Sequence, residues 1–237
     1  MKKNQPDIPS WNRLESSLLN CRLCPRLVSW REQVSAQKRR AYLAETYWGR
    51  PVPGFGDRLA RVLVVGLAPG AHGSNRTGRM FTGDASGDFL FPALYQNGFA
   101  NQPQATSRED GLTLQDLFIS AVCRCAPPDN KPSPGEIQNC MRYLSSEMDL
   151  LSNLEGIVCL GKIGFDHSIR HLVPSAGLRK KYHFRHLAYY PADALIPFWV
   201  LASYHPSRQN TQTGRLTQEM FTAVWHRVRK LLNNTSL

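Results

Sequence analysis

The run Arg61-Val62-Leu63-Val64-Val65 ends on Gly66 and opens into the loop GLAPGAHGSNRTGRMFTGDASGD over 66–88. A β-branched stretch without polar alternation has both faces covered, which is the condition of a strand inside a parallel sheet. Glycines at its exit let backbone amides approach a ligand at the carboxyl end of that strand. This stretch therefore commits the chain to an α/β architecture with a site at one sheet edge. Neither a P-loop lysine nor G-x-G-x-x-G follows, so the backbone over Gly66 to Gly73 reads as a cradle for a flat polar group, not for a nucleotide phosphate.

Three further apolar runs repeat the pattern, Leu117 to Cys123, Gly156 to Gly161 and Pro197 to Tyr204. Helices are expected from Phe89 to Tyr95, from the capping box Ser133-Pro134-Gly135-Glu136 onward, from Lys162 to His171, and at the end of the chain, where Phe221, Val224, Trp225, Val228 and Leu232 keep the helical period. Strands alternating with helices give a three-layer α/β/α sandwich around a four-stranded parallel sheet, one domain over 1–237. The loops 66–88, 124–131 and 205–215 then leave its carboxyl edge together. Ahead of the sheet, Ser10 is placed to cap a helix carrying Trp11, Leu14 and Leu18. A second, basic helix with Arg26, Arg31, Lys38, Arg39 and Arg40 is expected from Pro25 to about Trp48, so that helices fill 10–48.

The formal net charge is +11, which favours a polyanionic partner such as nucleic acid. No run approaches the roughly 18 apolar residues of a membrane span, and no apolar segment follows the first charged residues as in a secretory signal. A cytoplasmic, monomeric protein is expected. Its six cysteines suit metal ligation or the core better than disulfides. Cys21 and Cys24 form C-x2-C, and Cys125 and Cys140 flank a proline loop and a capped helix; four thiolates there admit a structural zinc or an iron–sulfur cluster, and spacing does not decide between them. Cys123 and Cys159 belong to the core.

Three side chains at the sheet edge can carry chemistry. Phe81 can stack on a flat ligand or plug the core. Asp84 can orient water and stabilise a cation, or cap the helix that begins near Ser86. His205 precedes Pro206, which fixes its backbone as extended at a strand end, where its ring can donate to a developing oxyanion or simply hold a turn.

The blocks GLAPGAHGSNRTGRMFTGD at 66–84, CAPPDNKPSPGE at 125–136 and SYHPSRQNTQTGRLT at 203–217 resemble the signature blocks of the type 5 uracil-DNA glycosylases, and the resemblance runs over nearly the whole chain. It implies a [4Fe-4S] cluster on Cys21, Cys24, Cys125 and Cys140. It also implies a pocket for a flipped base, lined by Gly66, Ala68, Gly70, Ala71 and His72, with Phe81 stacked on the base. Asn130 would contact the base or the abasic sugar, Asp84 would stabilise the oxocarbenium-like sugar or position water, and His205 would donate to the leaving base. Arg208, Gln209 and Asn210 would enter the minor groove of double-stranded DNA, with single-stranded DNA as a further substrate.

Two departures bear on specificity. Leu67 stands where type 4 relatives have a water-activating glutamate, and Ala121 where many relatives read the base with asparagine. The resemblance thus implies a monofunctional glycosylase for base excision repair that accepts hypoxanthine and xanthine besides uracil. A catalytically inactive iron–sulfur DNA-binding protein, and a nucleotide-binding α/β enzyme with structural zinc, are the competing classes. The joint presence of Phe81, Asp84, Asn130 and His205 speaks against the first, and the missing phosphate motifs against the second.

Overall fold

A computed structural model describes residues 10–234. The N-terminal stretch read above for a targeting signal lies mostly outside them. In chain order the elements are α1 (Trp11–Leu19), α2 (Pro25–Gln37), β1 (Phe55–Gly56), β2 (Val62–Gly66), α3 (Ser74–Thr77), α4 (Ala85–Gln96), β3 (Leu117–Ala121), α5 (Pro134–Leu150), β4 (Gly156–Leu160), α6 (Lys162–Leu172), α7 (Ala176–Arg179), β5 (Tyr189–Tyr190), β6 (Trp199–Ser203), α8 (Arg208–Gln212) and α9 (Gln218–Asn234), with 3-10 turns at Arg40–Tyr42 and Pro128–Asn130.

The sheet runs β1-β3-β2-β4-β6-β5. Its four inner strands are parallel, with Val64 opposite Ile119 and Val158, and Val158 opposite Leu201. All four are buried along their whole length. Alternate residues feed two cores: Val62, Val64, Ile119, Val158 and Leu201 pack with α4 and α9, while Leu63, Val65, Phe118, Ile157 and Val200 pack with α1, α5 and α6. The continuous apolar runs are explained by this double coverage, since a strand covered on both faces has no solvent side to be polar. Cys123 and Cys159 are buried in the second core, as expected.

Two elements differ from expectation. The sheet has six strands, because the two-residue β1 and β5 pair antiparallel with β3 and β6 at its rims; runs so short leave no periodicity to read. The basic helix stops at Gln37, where Lys38 takes φ 52°, and the chain continues through the turn Arg40–Tyr42. Its cations do not share one solvated face. Arg26 makes a two-pronged ion pair with Glu136 at 2.8 and 2.7 Å, tying α2 to α5, and Arg31 is buried.

Candidate active site

Because the four inner strands are parallel, the loops after Gly66, Ala121, Leu160 and Ser203 open at the same edge. Gly66 is packed under the ring of Phe81: a Cβ there would lie 3.0 Å from Phe81 Cζ. Phe81 is buried with φ 54°, in the left-handed region that a phenylalanine avoids. The surrounding turn holds it there. Arg79 is ion-paired with Asp110 at 2.6 Å and bonded to Thr82 Oγ1, and the Phe81 carbonyl abuts Gly87, where a Cβ would lie 1.8 Å from it. Phe81 thus belongs to the core and packs its ring against Gly66 at the start of the cradle.

Asp84 divides its carboxylate between two tasks. Oδ1 accepts from the Ser86 and Gly87 amides at 3.0 and 3.2 Å and caps α4. Oδ2 faces the glycine loop, so close that a Cβ on Gly73 would fall 2.0 Å from it and one on Gly70 3.0 Å. Burial pushes this carboxyl above its ordinary range, opposed by the two capping amides. The cradle needs glycine at 73 so that this oxygen can approach.

His205 follows β6, half-buried, with its ring stacked on Phe81 at 5.7 Å between centroids and 29° between planes. Burial pushes its pKa down to about 4, so the ring is neutral at pH 7. Asn210 Nδ2 donates to the His205 carbonyl at 2.9 Å, and Ser207 caps α8. A cavity of about 220 Å³ adjoins the ring, lined by Leu67, Gly161, Lys162, Tyr204, Asn210 and Arg215 among others. Lys162 pairs with Asp166 at 2.5 Å.

His72 is half-buried, its Nδ1 3.0 Å from the Tyr47 hydroxyl; burial, then the charges of Arg39 and Arg76, lower its pKa. The buried Asn75 amide donates to the carbonyls of Ala71 and Arg31, which ties the cradle to α2. The structure therefore gathers Gly66, Gly70, Phe81 and Asp84 with the 66–73 backbone, and sets His205 against Phe81. Asn130 is exposed, at φ 56° in the turn Pro128–Asn130 of another loop on this edge. Arg208 and Gln209 are exposed on α8, whereas Asn210 turns inward to His205. Gly161, Lys162 and Gly164 line the cavity beside His205, and their position after the third buried strand follows the same edge rule as the glycine loop.

A second cluster lies beside this edge. Cys21, Cys24, Cys125 and Cys140 line one cavity with Leu27, Arg124 and Tyr143. Each sulfur meets an N–H donor: Arg142 Nη2 at 3.9 Å from Cys21, Asn139 Nδ2 at 3.6 Å from Cys24, Arg31 Nη1 at 2.8 Å from Cys125, and the Arg124 amide at 3.2 Å from Cys140. Burial pushes the Cys125 thiol up to about 12 and raises Cys24, whereas the hydrogen bond from Cys123 lowers Cys140 to about 7. Arg31 and Arg124 are buried; Nε of both and Nη1 of Arg124 have no hydrogen-bond partner. Arg124 Nη2 pairs with the buried Glu147, which also accepts from Ser120 at 2.6 Å. Among the described residues no three His, Cys, Asp or Glu side chains are grouped to hold a metal ion.

The family model of the uracil DNA glycosylase superfamily matches residues 53–229. A type-5 uracil-DNA glycosylase of Thermus thermophilus is 52% identical over 216 residues, 91% of this chain and 95% of that protein. Its counterpart in Mycobacterium tuberculosis is 46% identical over 212 residues, 89% of this chain and 78% of that protein. A type-4 uracil-DNA glycosylase of Archaeoglobus fulgidus is 32% identical over 133 residues, 56% of this chain and 57% of that protein. No helix among the described residues is long and apolar enough to cross a membrane.

Proposed function

The chain belongs to the uracil-DNA glycosylase superfamily, and from that premise we propose a monofunctional hydrolase that cleaves the N-glycosidic bond of uracil, hypoxanthine or xanthine in DNA and leaves an abasic site. One observation carries this reading: a neutral imidazole stacked on Phe81 and a carboxylate oxygen aimed at the cradle stand at one sheet edge. Breaking the bond puts positive charge on the sugar and negative charge on the departing base, so a site for it needs groups of these two kinds. The base enters by leaving the stack, at a cost of a few kcal/mol. Phe81 offers a ring to stack on, and the glycine backbone lets the base edge approach closely. His205, already neutral, donates its N–H to the carbonyl oxygen where charge gathers. Asp84 Oδ2, at the cradle, holds the attacking water or the cationic ring, while Oδ1 stays committed to the cap.

The broad base range rests on Ala121. It is buried at the end of β3 in register with Gly66, so nothing larger than a methyl group stands where an asparagine would read the base edge. Single-turnover assays on duplexes carrying one uracil, hypoxanthine or xanthine, followed by alkali, test the whole reading. Alkali-dependent cleavage is expected at all three lesions, without an adduct trapped by borohydride. No cleavage at uracil would leave a DNA-binding protein.

Asp84→Asn separates capping from chemistry, because the remaining carbonyl oxygen can still accept from Ser86 and Gly87. The expected result is a melting temperature close to wild type with excision slowed about 10²–10⁴-fold. Unchanged excision would remove Asp84 from the mechanism.

The four cysteines line one cavity whose chemistry suits a [4Fe-4S] cluster, although their side chains do not converge as for a single metal ion. Four thiolates on a cluster are an anionic group, and the site offers it two buried arginines short of partners and an N–H donor to every sulfur. The cluster would act structurally, joining the α1–α2 turn to the loop before α5. Purified protein is expected to hold iron and sulfide in equal amounts with visible charge-transfer absorbance, both lost in Cys140→Ala. One zinc per chain without iron would overturn this assignment.

A further inference from the structure

The segment 39–50 follows the broken basic helix and has no part in the chemistry above, yet it is stitched to the glycine loop. The Trp48 amide donates to the Arg76 carbonyl at 2.8 Å, the Gly49 amide to the Asn75 carbonyl at 3.0 Å, and the Tyr47 hydroxyl meets His72. Segment and cradle therefore form one continuous wall. Trp48 is fixed in that wall: its Nε1 donates to the Pro51 carbonyl at 3.0 Å, and Gly78 packs so tightly that a Cβ there would lie 2.8 Å from the indole.

Two exposed guanidiniums stand over that indole, Arg108 at 4.4 Å and Arg50 at 5.6 Å from the ring centroid. Arg39, also exposed, is joined to the same wall at Tyr47, its amide 3.4 Å from the Tyr47 hydroxyl. The neighbouring carboxylates Glu45 and Asp110 are taken by Arg76 and Arg79, and among the described residues none forms an ion pair with Arg39, Arg50 or Arg108. A guanidinium held over an aromatic face is oriented without being neutralised, so its N–H fork stays open to an incoming anion. Glu109, exposed next to Arg108, is the acid these cations would otherwise share.

On the premise that the chain is a uracil-DNA glycosylase, we propose that Trp48, Arg50 and Arg108 form a second DNA contact outside the base pocket, gripping backbone phosphates of the duplex next to the flipped nucleotide. Arginine suits phosphate because its paired N–H groups match two oxygens at once. The indole supplies rigidity, and the connection to His72 sets the distance between phosphate grip and cradle.

The test is binding of a duplex carrying a stable abasic analogue, followed by fluorescence anisotropy between about 50 and 200 mM salt. Arg50→Ala/Arg108→Ala is expected to bind more weakly, and its plot of log affinity against log salt should be shallower by about 1.8, the loss of two phosphate contacts. The Arg50→Lys/Arg108→Lys protein should regain the wild-type slope, and excision of uracil by saturating double-alanine protein should match wild type. A wild-type slope in the double-alanine protein overturns the second contact while leaving the glycosylase intact. Slower excision at saturation overturns it too, by placing these arginines in the base pocket. Failure of the wild-type protein to excise uracil removes the premise itself.

Discussion

Replacing His205 with alanine should slow uracil excision in single turnover by about 10²–10³-fold, the usual cost of removing one donor to a developing oxyanion. The pH profile distinguishes this role from proton transfer by a charged ring. Burial holds His205 at about 4, below the ordinary 6.5, so the imidazole is already neutral throughout the physiological range. Wild-type excision should therefore show no inflection near 6.5. An inflection there that disappears in His205→Ala would mean that the ring works as an imidazolium and would sink the neutral-donor role. Stability carries the same sign. The unfolded chain binds a proton at His205 below about 6.5 and the folded chain only below about 4, so wild type loses stability as pH falls through that window. The alanine variant should lose less.

The second large effect concerns Glu147. It is the buried carboxylate paired with Arg124, and it also accepts from Ser120. Glu147→Ala leaves a fully buried guanidinium without a counterion, a change that typically costs about 3–5 kcal/mol. For a chain of this size that corresponds to a melting temperature lower by about 6–20 °C. The damage should reach the cysteines, because Arg124 lines their cavity and its amide donates to Cys140. On the proposal that these cysteines hold an iron–sulfur cluster, its visible absorbance should fade in the variant at a temperature where wild type keeps it. Arg124→Met/Glu147→Leu, which removes both charges, should recover much of the lost stability. A melting temperature within 1 °C of wild type for Glu147→Ala would show that Arg124 finds its counter-charge elsewhere.

The four inner strands were legible because burial on both faces leaves an uninterrupted apolar run, and their carboxyl ends mark the edge at which the candidate site stands. Asp84 was ambiguous in sequence for a physical reason: the same side chain caps α4 through one oxygen and faces the cradle through the other. Phe81 was ambiguous for a similar one, being both core and cradle. What stayed hidden were features built from distant partners. Arg31 and Arg124 look like ordinary surface cations in sequence, and only the approach of distant elements and the cysteines takes them out of solvent. The end of α2 at Gln37 was equally invisible, since Lys38 adopts its left-handed φ without a glycine or proline to announce it.

The two short rim strands have a consequence for how the protein behaves in quantity. An exposed strand edge is a template on which a second chain can add, and a sheet this apolar would be a ready seed for fibrous aggregates. Phe55–Gly56 and Tyr189–Tyr190 pair with part of the outward rims of β3 and β6, and each ends after two residues, too soon to recruit another strand. At Gly56 the neighbouring backbone comes so close that a Cβ would lie 2.3 Å from the Leu117 carbonyl oxygen, so the seal depends on glycine. With +11 of net charge, repulsion between copies works in the same direction as this seal.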